Sequence, residues 1–363
     1  MLKFNPAVFA VNKNYQIIVP ASGESFCSVR IGESEYFSES NGMARLASVH
    51  KIDVPQVTLD EAGEYTVLLR PVIERKAYGA VTGEPKSYTY SFFQPPKSNM
   101  RIYNISDAHS QVLEPIAAAK AFGKIDLLIL CGDIMHFCNS MDDFFNVYQI
   151  CSEITGGNIP IVSTRGNHDM RGRMADRFAE FMPAADGKIF YTFSVGSLWG
   201  VVLDCGEITP DQNPDHGFTV CCDNFRREQT EFLKRVAEEA QNEYAAEHIK
   251  NRIVVVHDPF FEKHNPPYDV TRDIFRDWFD IIDANIKPDF WLCGHSHLCA
   301  VRRPPYSWDE FGIKTPLVMA STPGDGTFKG GGFELNDDGI YLTFNDNLGN
   351  FDEKITITKD LTL

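Results

Sequence analysis

The first 97 residues carry short, strand-like apolar stretches. YQIIVP, SFCSVRIG, EYTVLLR and KSYTYSFFQ each read as a strand, with Gly, Asn and Asp turn signals between them. No long helical period interrupts them, so residues 1–97 are expected to form an all-β unit. Pro95-Pro96 ends the last strand and reads as a linker. From Met100 the period itself alternates. RIYNIS, DLLILCG, IPIVSTRG, LWGVVLD, RIVVVHD and DFWLCGH read as strands. Gln111 to Phe122, Met141 to Ile154, Asn224 to Gln241 and Thr271 to Ile282 carry helical spacing. Strands alternating with helices predict an α/β domain with parallel strands over residues 98–363. GGFELNDDGIYLTFND reads as a hairpin turning at Asp337-Asp338-Gly339.

Composition adds limits to this picture. A chain of 363 residues is long enough for two domains with ample core, and 23% charged residues is ordinary for a soluble protein. The net charge of −16 would repel a nucleic-acid backbone, so no nucleic-acid partner is expected, although a local basic pocket remains open. The N-terminal stretch lacks a secretory pattern, and no apolar run approaches the roughly 18–20 residues of a membrane helix. A cytoplasmic protein without a membrane partner is the expectation. The nine cysteines have no repeating spacing. Cys131, Cys205 and Cys293 lie on or beside apolar strands as small hydrophobes, which fits reduced thiols, and Cys221-Cys222 is too isolated for a metal site. LDEAGEYTVLL, Leu59 to Leu69, resembles the tyrosine-corner segment of immunoglobulin-like sandwiches, with Tyr65 at the corner. The resemblance implies an immunoglobulin/fibronectin-like β-sandwich, a unit suited to oligomer or partner contacts.

The chemistry collects where apolar strands stop. RIYNIS ends in Asp107-Ala108-His109, DLLILC in Gly132-Asp133, and IPIVST in Arg165-Gly166-Asn167-His168-Asp169. RIVVV ends in His257-Asp258, and DFWLC in Gly294-His295-Ser296-His297. Ligands of open α/β sheets bind beyond the carboxyl ends of the strands, so these five loops are expected to converge. Singly, each has a structural alternative: a polar turn, a helix cap, or a satisfied core histidine. Two imidazoles at i and i+2 on an exposed turn have little structural purpose and suit a metal. Five such endings in this order make coincidence implausible.

The five blocks resemble the calcineurin-like metallophosphoesterases, whose pattern is D-x-H, G-D, G-N-H-[DE], H and G-H-x-H. The resemblance covers Met100 to Ala320 and implies two packed sheets flanked by helices. Carried over, Asp107, His109, Asp133 and His297 hold one metal. Asp133, Asn167, His257 and His295 hold the second, with Asp133 bridging. Oxygen and imidazole donors suit Mn, Fe, Zn, Ni or Co. Two such ions roughly 3.5–4 Å apart clamp a phosphoryl group, and a bridging hydroxide attacks phosphorus in line with the leaving oxygen. Two carboxylates leave the loaded site net positive, which suits an anionic substrate. His168 is expected beside the leaving group as general acid or charge stabiliser. Arg165 and Arg171 could reach a phosphate oxygen, with surface salt bridges as the default. Asp169 is expected to cap a helix beginning near Arg171, with orienting a neighbouring group as the alternative.

His136 departs from two subfamilies. Protein Ser/Thr phosphatases carry an aspartate three residues after the bridging one. Purple acid phosphatases carry an iron-binding tyrosine there and D-x-G in the first block. His136 therefore excludes an iron–tyrosinate site, despite an N-terminal β domain similar to that of purple acid phosphatases. It is left with three roles: contact with substrate, metal ligation, or packing at a helix start. The irregular Cys205 to Phe225 stretch either borders the substrate entrance through Asp215 and His216 or is a surface excursion. GDGTFKGGGF lacks the ending of a phosphate loop and reads as a turn. The expected function is dinuclear-metal-dependent hydrolysis of a small phosphomonoester. The alternatives are a small phosphodiester or cyclic-nucleotide phosphodiesterase and, from another class, a non-catalytic metal-bound scaffold.

Overall fold

The computed structural model describes residues 1–357. Its framework is two sheets stacked face to face. In the first, Met100–Ile105, Leu127–Cys131 and Pro160–Thr164 run parallel, with Thr327–Asn336 antiparallel at one side. In the second, Leu198–Leu203, Asn251–Val256, Phe290–Cys293 and Leu317–Gly324 run parallel, with Tyr191–Val195 antiparallel at the edge. Leu317–Gly324 joins the two, because its far half pairs with Thr327–Asn336.

The period of two explains how the second sheet is buried on both faces. Val202, Ile253, Val255, Phe290 and Leu292 point towards the first sheet and share its core. Their neighbours Val201, Leu203, Val254, Val256 and Trp291 point the other way, into a second core. Ile274, Phe275, Trp278 and Phe279 of the helix Arg272–Ile281, with Leu233 and Val236 of Cys222–Glu238, close that core. Leu113–Phe122 and Met141–Thr155 belong to the other side of the molecule, packed with the first sheet's core. All four helices begin and end within a few residues of the expected bounds, and the C-terminal hairpin turns between Asn336 and Gly339.

The first 97 residues share a sheet with the rest. Ala7–Val11, a strand the sequence reading left unassigned, pairs parallel with Pro160–Thr164 and antiparallel with Asn14–Ile31. Ala7 to Ala10 are fully buried. The long Asn14–Ile31 strand is irregular between Pro20 and Ser25. It pairs with Ala47–Pro55 along its first part and with Glu64–Arg75 along its second. Tyr65 does not close a local corner. Its buried hydroxyl donates to the Gly157 carbonyl at 2.8 Å, and so ties this strand to the end of the Met141–Thr155 helix. The preceding segment is a short helix, Gln56–Ala62, ended by left-handed Gly63. Gln16 adds two bonds to the Ala184 backbone.

His50, on Ala47–Pro55, is 1% exposed, and burial lowers its pKa to about 4. Between pH 6.5 and 4 the unfolded chain binds a proton there that the folded chain refuses, so stability falls as pH drops through that window. Urea unfolding at pH 7 and pH 4.5 should show wild type losing about 2–3 kcal/mol more than His50→Gln. Parallel losses would exclude His50 as the sensor.

All nine cysteines are unpaired. Among the described residues no helix is long and apolar enough to cross a membrane.

Candidate metal centre

Each ligand-type residue sits one to four positions past a buried strand, where the backbone turns sharply. Asp107, His109, Asp133, His295 and His297 all have left-handed φ, between 46° and 64°. Non-glycine residues adopt this conformation at a cost, and such strain collects at functional sites. Gly132 (φ 81°) allows a close approach: a Cβ there would lie 2.6 Å from His257 Nδ1. A Cβ on Gly166 would collide with the Asp133 carboxylate.

These turns bring the five strand ends together. His297 Nε2 lies 3.5 Å from Asp107 Oδ1 and 3.0 Å from His109 Nε2. His257 Nε2 lies 3.1 Å from Asp133 Oδ2 and 3.8 Å from Asp107 Oδ1. His295 Nδ1 lies 3.1 Å from Asn167 Oδ1. Donor atoms of Asp107, His109 and His297 fall within 4.8 Å of one another, as do those of Asp133, His257 and His295. These are the two expected ligand sets, less the amide and the bridging contact.

The donors suit cations. His257 Nδ1–H donates to the Cys131 carbonyl at 2.8 Å, which leaves Nε2 to face the carboxylates; Nε2 itself makes no well-aligned hydrogen bond. Buried His109 Nδ1 also lacks a partner. Asp107 and Asp133 are 0% and 1% exposed. Burial pushes Asp107 up, with His257 opposing and Asp133 reinforcing the rise. Burial acts on Asp133 in the same sense, but His257 and His168 hold it well below the usual carboxylate range. Burial would lower His257, yet Asp133 and Asp107 raise it to about 10. Two buried carboxylates thus demand positive charge between them. Burial lowers His109, to about 4, and His295, keeping lone pairs free for ligation.

A family model described as calcineurin-like phosphoesterase matches residues 100–299, more than half of the chain. The chain belongs to the calcineurin-like phosphoesterases. It is therefore classed with the phosphoric ester hydrolases. No curated protein matches it in sequence. Among solved structures it resembles a purple acid phosphatase from yellow lupin seeds, with TM-score 0.59 and 13% identity over 97% of this chain and 74% of that one. That likeness of fold takes in the N-terminal β domain. A dimetal phosphatase from Danio rerio is also similar, with TM-score 0.48 and 12% identity over 72% of this chain and 100% of that one.

Around the phosphoesterase centre lie groups whose roles the sequence left open. His168 N–H donates to Asp133 Oδ1 at 2.8 Å, and its ring Nδ1 donates to the His136 carbonyl at 3.2 Å. Its Nε2 then accepts from Arg171 Nη1 at 3.4 Å. Burial lowers His168, and Arg171 adds to the effect. The exposed His136 ring is 5.0 Å from that of His168 and 5.5 Å from that of His109; one nitrogen from each of the three rings lies within 4.8 Å of the others.

Asp169 caps no helix. Only a short 3-10 turn, His168–Met170, occurs there. The buried carboxylate instead accepts the N–H groups of Asp133 (2.8 Å), Gly166 (2.9 Å) and Met135 (2.9 Å), and so holds two of the site's loops together. Burial and Asp133 push it up to about 7, against the pull of those N–H groups. Neither arginine forms a plain surface salt bridge. Arg165 pairs with buried Asp204 at 2.8 Å. Arg171 is gripped by both oxygens of buried Glu207, at 2.8 and 2.9 Å. The Glu207 backbone is clamped in turn by Arg226, a fully buried arginine. Sequence reading missed Glu207 and Arg226. Arg226 lies on the buried stripe of the Cys222–Glu238 helix, and a cation at a core position was the available signal.

Proposed function

We propose that the protein hydrolyses phosphate monoesters with two transition-metal ions. One would be held by Asp107, His109, Asp133 and His297, the other by Asp133, Asn167, His257 and His295. The convergence of two buried carboxylates and four imidazoles from separate strand ends carries this reading. When bound, such ions supply Lewis acidity and make water a nucleophile near neutral pH.

The chain's own residues orient the rest. Water oxygen bonds to phosphorus, the ester P–O bond breaks, and the departing oxygen takes a proton. His168 is placed to deliver it: Nδ1–H is committed to the His136 carbonyl, and Nε2, which accepts from Arg171 in the free site, takes the mobile proton once the substrate phosphate offsets that cation. Arg171 cannot drift, because Glu207 holds two of its nitrogens and Nη1 points at His168. A fixed guanidinium beside the metals suits the extra charge of a monoester dianion over a diester. His136 lines the substrate side of His168.

After chelation, p-nitrophenyl phosphate and bis-p-nitrophenyl phosphate are assayed with Mn, Zn, Fe, Ni and Mg. Turnover should return with a transition metal and favour the monoester. Turnover of the diester alone would replace the monoester reading. No metal-dependent turnover of either would leave the scaffold reading in its place.

A further inference from the structure

A cleft of about 1110 Å³ opens beside the metal centre, with Asn167, His168 and His295 in its lining. Its remaining lining comes mainly from two loops, around Ile208 to His216 and Lys263 to Tyr268. Its size suits a whole small molecule beyond the phosphoryl group. On a chain of net charge −16, this lining carries Arg171 and Lys263 against a single carboxylate, Asp215.

The two cations differ. Arg171 is already paired with Glu207. Lys263 is anchored by its backbone N–H to the Trp308 carbonyl (2.7 Å) and by Nζ to the Ser307 carbonyl (3.1 Å). Among the described residues no carboxylate lies within ion-pair distance of it. A carbonyl fixes the ammonium without neutralising it, and two of its three donors stay available. Next to it, His264 Nε2 sits 3.9 Å from Asp258 Oδ1, and neither atom has a hydrogen-bond partner. That spacing leaves the imidazole, itself part of the cleft lining, polarised by a buried carboxylate.

We propose that this cleft holds the leaving group and that Lys263, with His264 beside it, selects esters whose leaving group carries a second anionic group. This rests on the phosphatase reading above and names its substrate class. A second phosphate or a carboxylate has the right chemistry, and a neutral leaving group would leave Lys263 unpaired in the complex.

The test compares a hexose bisphosphate with the matching hexose monophosphate, with p-nitrophenyl phosphate as the reference ester. Wild type should prefer the bisphosphate by about tenfold or more in kcat/KM, mostly through KM, as one charge-assisted contact predicts. Lys263→Ala should erase the preference and Lys263→Arg should keep it. Calorimetry with the bisphosphate should show the same order of affinities independently of turnover. If wild type hydrolyses p-nitrophenyl phosphate yet treats the two sugars alike, or if Lys263→Ala keeps the preference, the subsite is overturned and the phosphatase reading stands. If wild type hydrolyses none of the esters, the phosphatase reading fails and takes the subsite with it.

Discussion

Asp133→Asn should lower kcat/KM for p-nitrophenyl phosphate by at least roughly 10³-fold and cost the protein bound metal, while the fold survives. The asparagine oxygen can still accept the His168 N–H that Asp133 Oδ1 accepts at 2.8 Å, so the Gly166 turn keeps its anchor. The other position changes sign. Where Oδ2 faces His257 Nε2 at 3.1 Å, the amide presents hydrogens to the lone pair needed for ligation. The shared negative charge is lost as well, so both ligand sets weaken together. Metal content by elemental analysis should fall from two equivalents to one or fewer. A variant that keeps both metals and wild-type turnover would remove Asp133 from the centre.

The elements that made this site legible are apolar runs that stop at polar residues. Asn251–Val256 and Phe290–Cys293 announced themselves as buried strands, and the polar residues past their ends could be collected because the fold class places such ends side by side. Ala7–Val11, an equally apolar run, escaped because it is short, is broken off by Asn12, Lys13 and Asn14, and leads to no ligand-type residue. Glu207 escaped for a different reason. It lies in an irregular stretch, and its partner Arg171 is 36 residues away. Tyr65 was read as a corner tyrosine, but its hydroxyl's acceptor is Gly157, 92 residues on, rather than the local backbone. Local chemistry was readable; the partner in each long-range pair was not. His136 shows the same division, since its departure from known subfamilies was visible, whereas its carbonyl's hold on His168 belongs to the folded loop.

Asp169 is where a local reading pointed the wrong way, and its replacement has the other large expected effect. An aspartate after Gly-Asn-His has the features of a helix cap, yet its three donors come from Asp133, Met135 and Gly166. Asp169→Ala would leave three buried N–H groups unpaired, at about 1–3 kcal/mol each, which threatens folding outright. Asp169→Asn is the discriminating variant. Oδ2 serves two N–H groups and Oδ1 serves one, so the amide should turn its oxygen to Asp133 and Gly166 and its NH₂ to the Met135 N–H. That loses one hydrogen bond and sets donor against donor. Denaturant unfolding of the metal-free variant should show a loss of about 2–3 kcal/mol. A cap contributes to its own turn alone, so a mere cap would leave metal affinity near wild type. A carboxylate that ties the Gly132–Met135 turn to Gly166 sets where Asp133 meets Asn167, and metal affinity should fall about 10- to 100-fold. Unchanged affinity in a folded Asp169→Asn protein would show that the two loops hold their places without it.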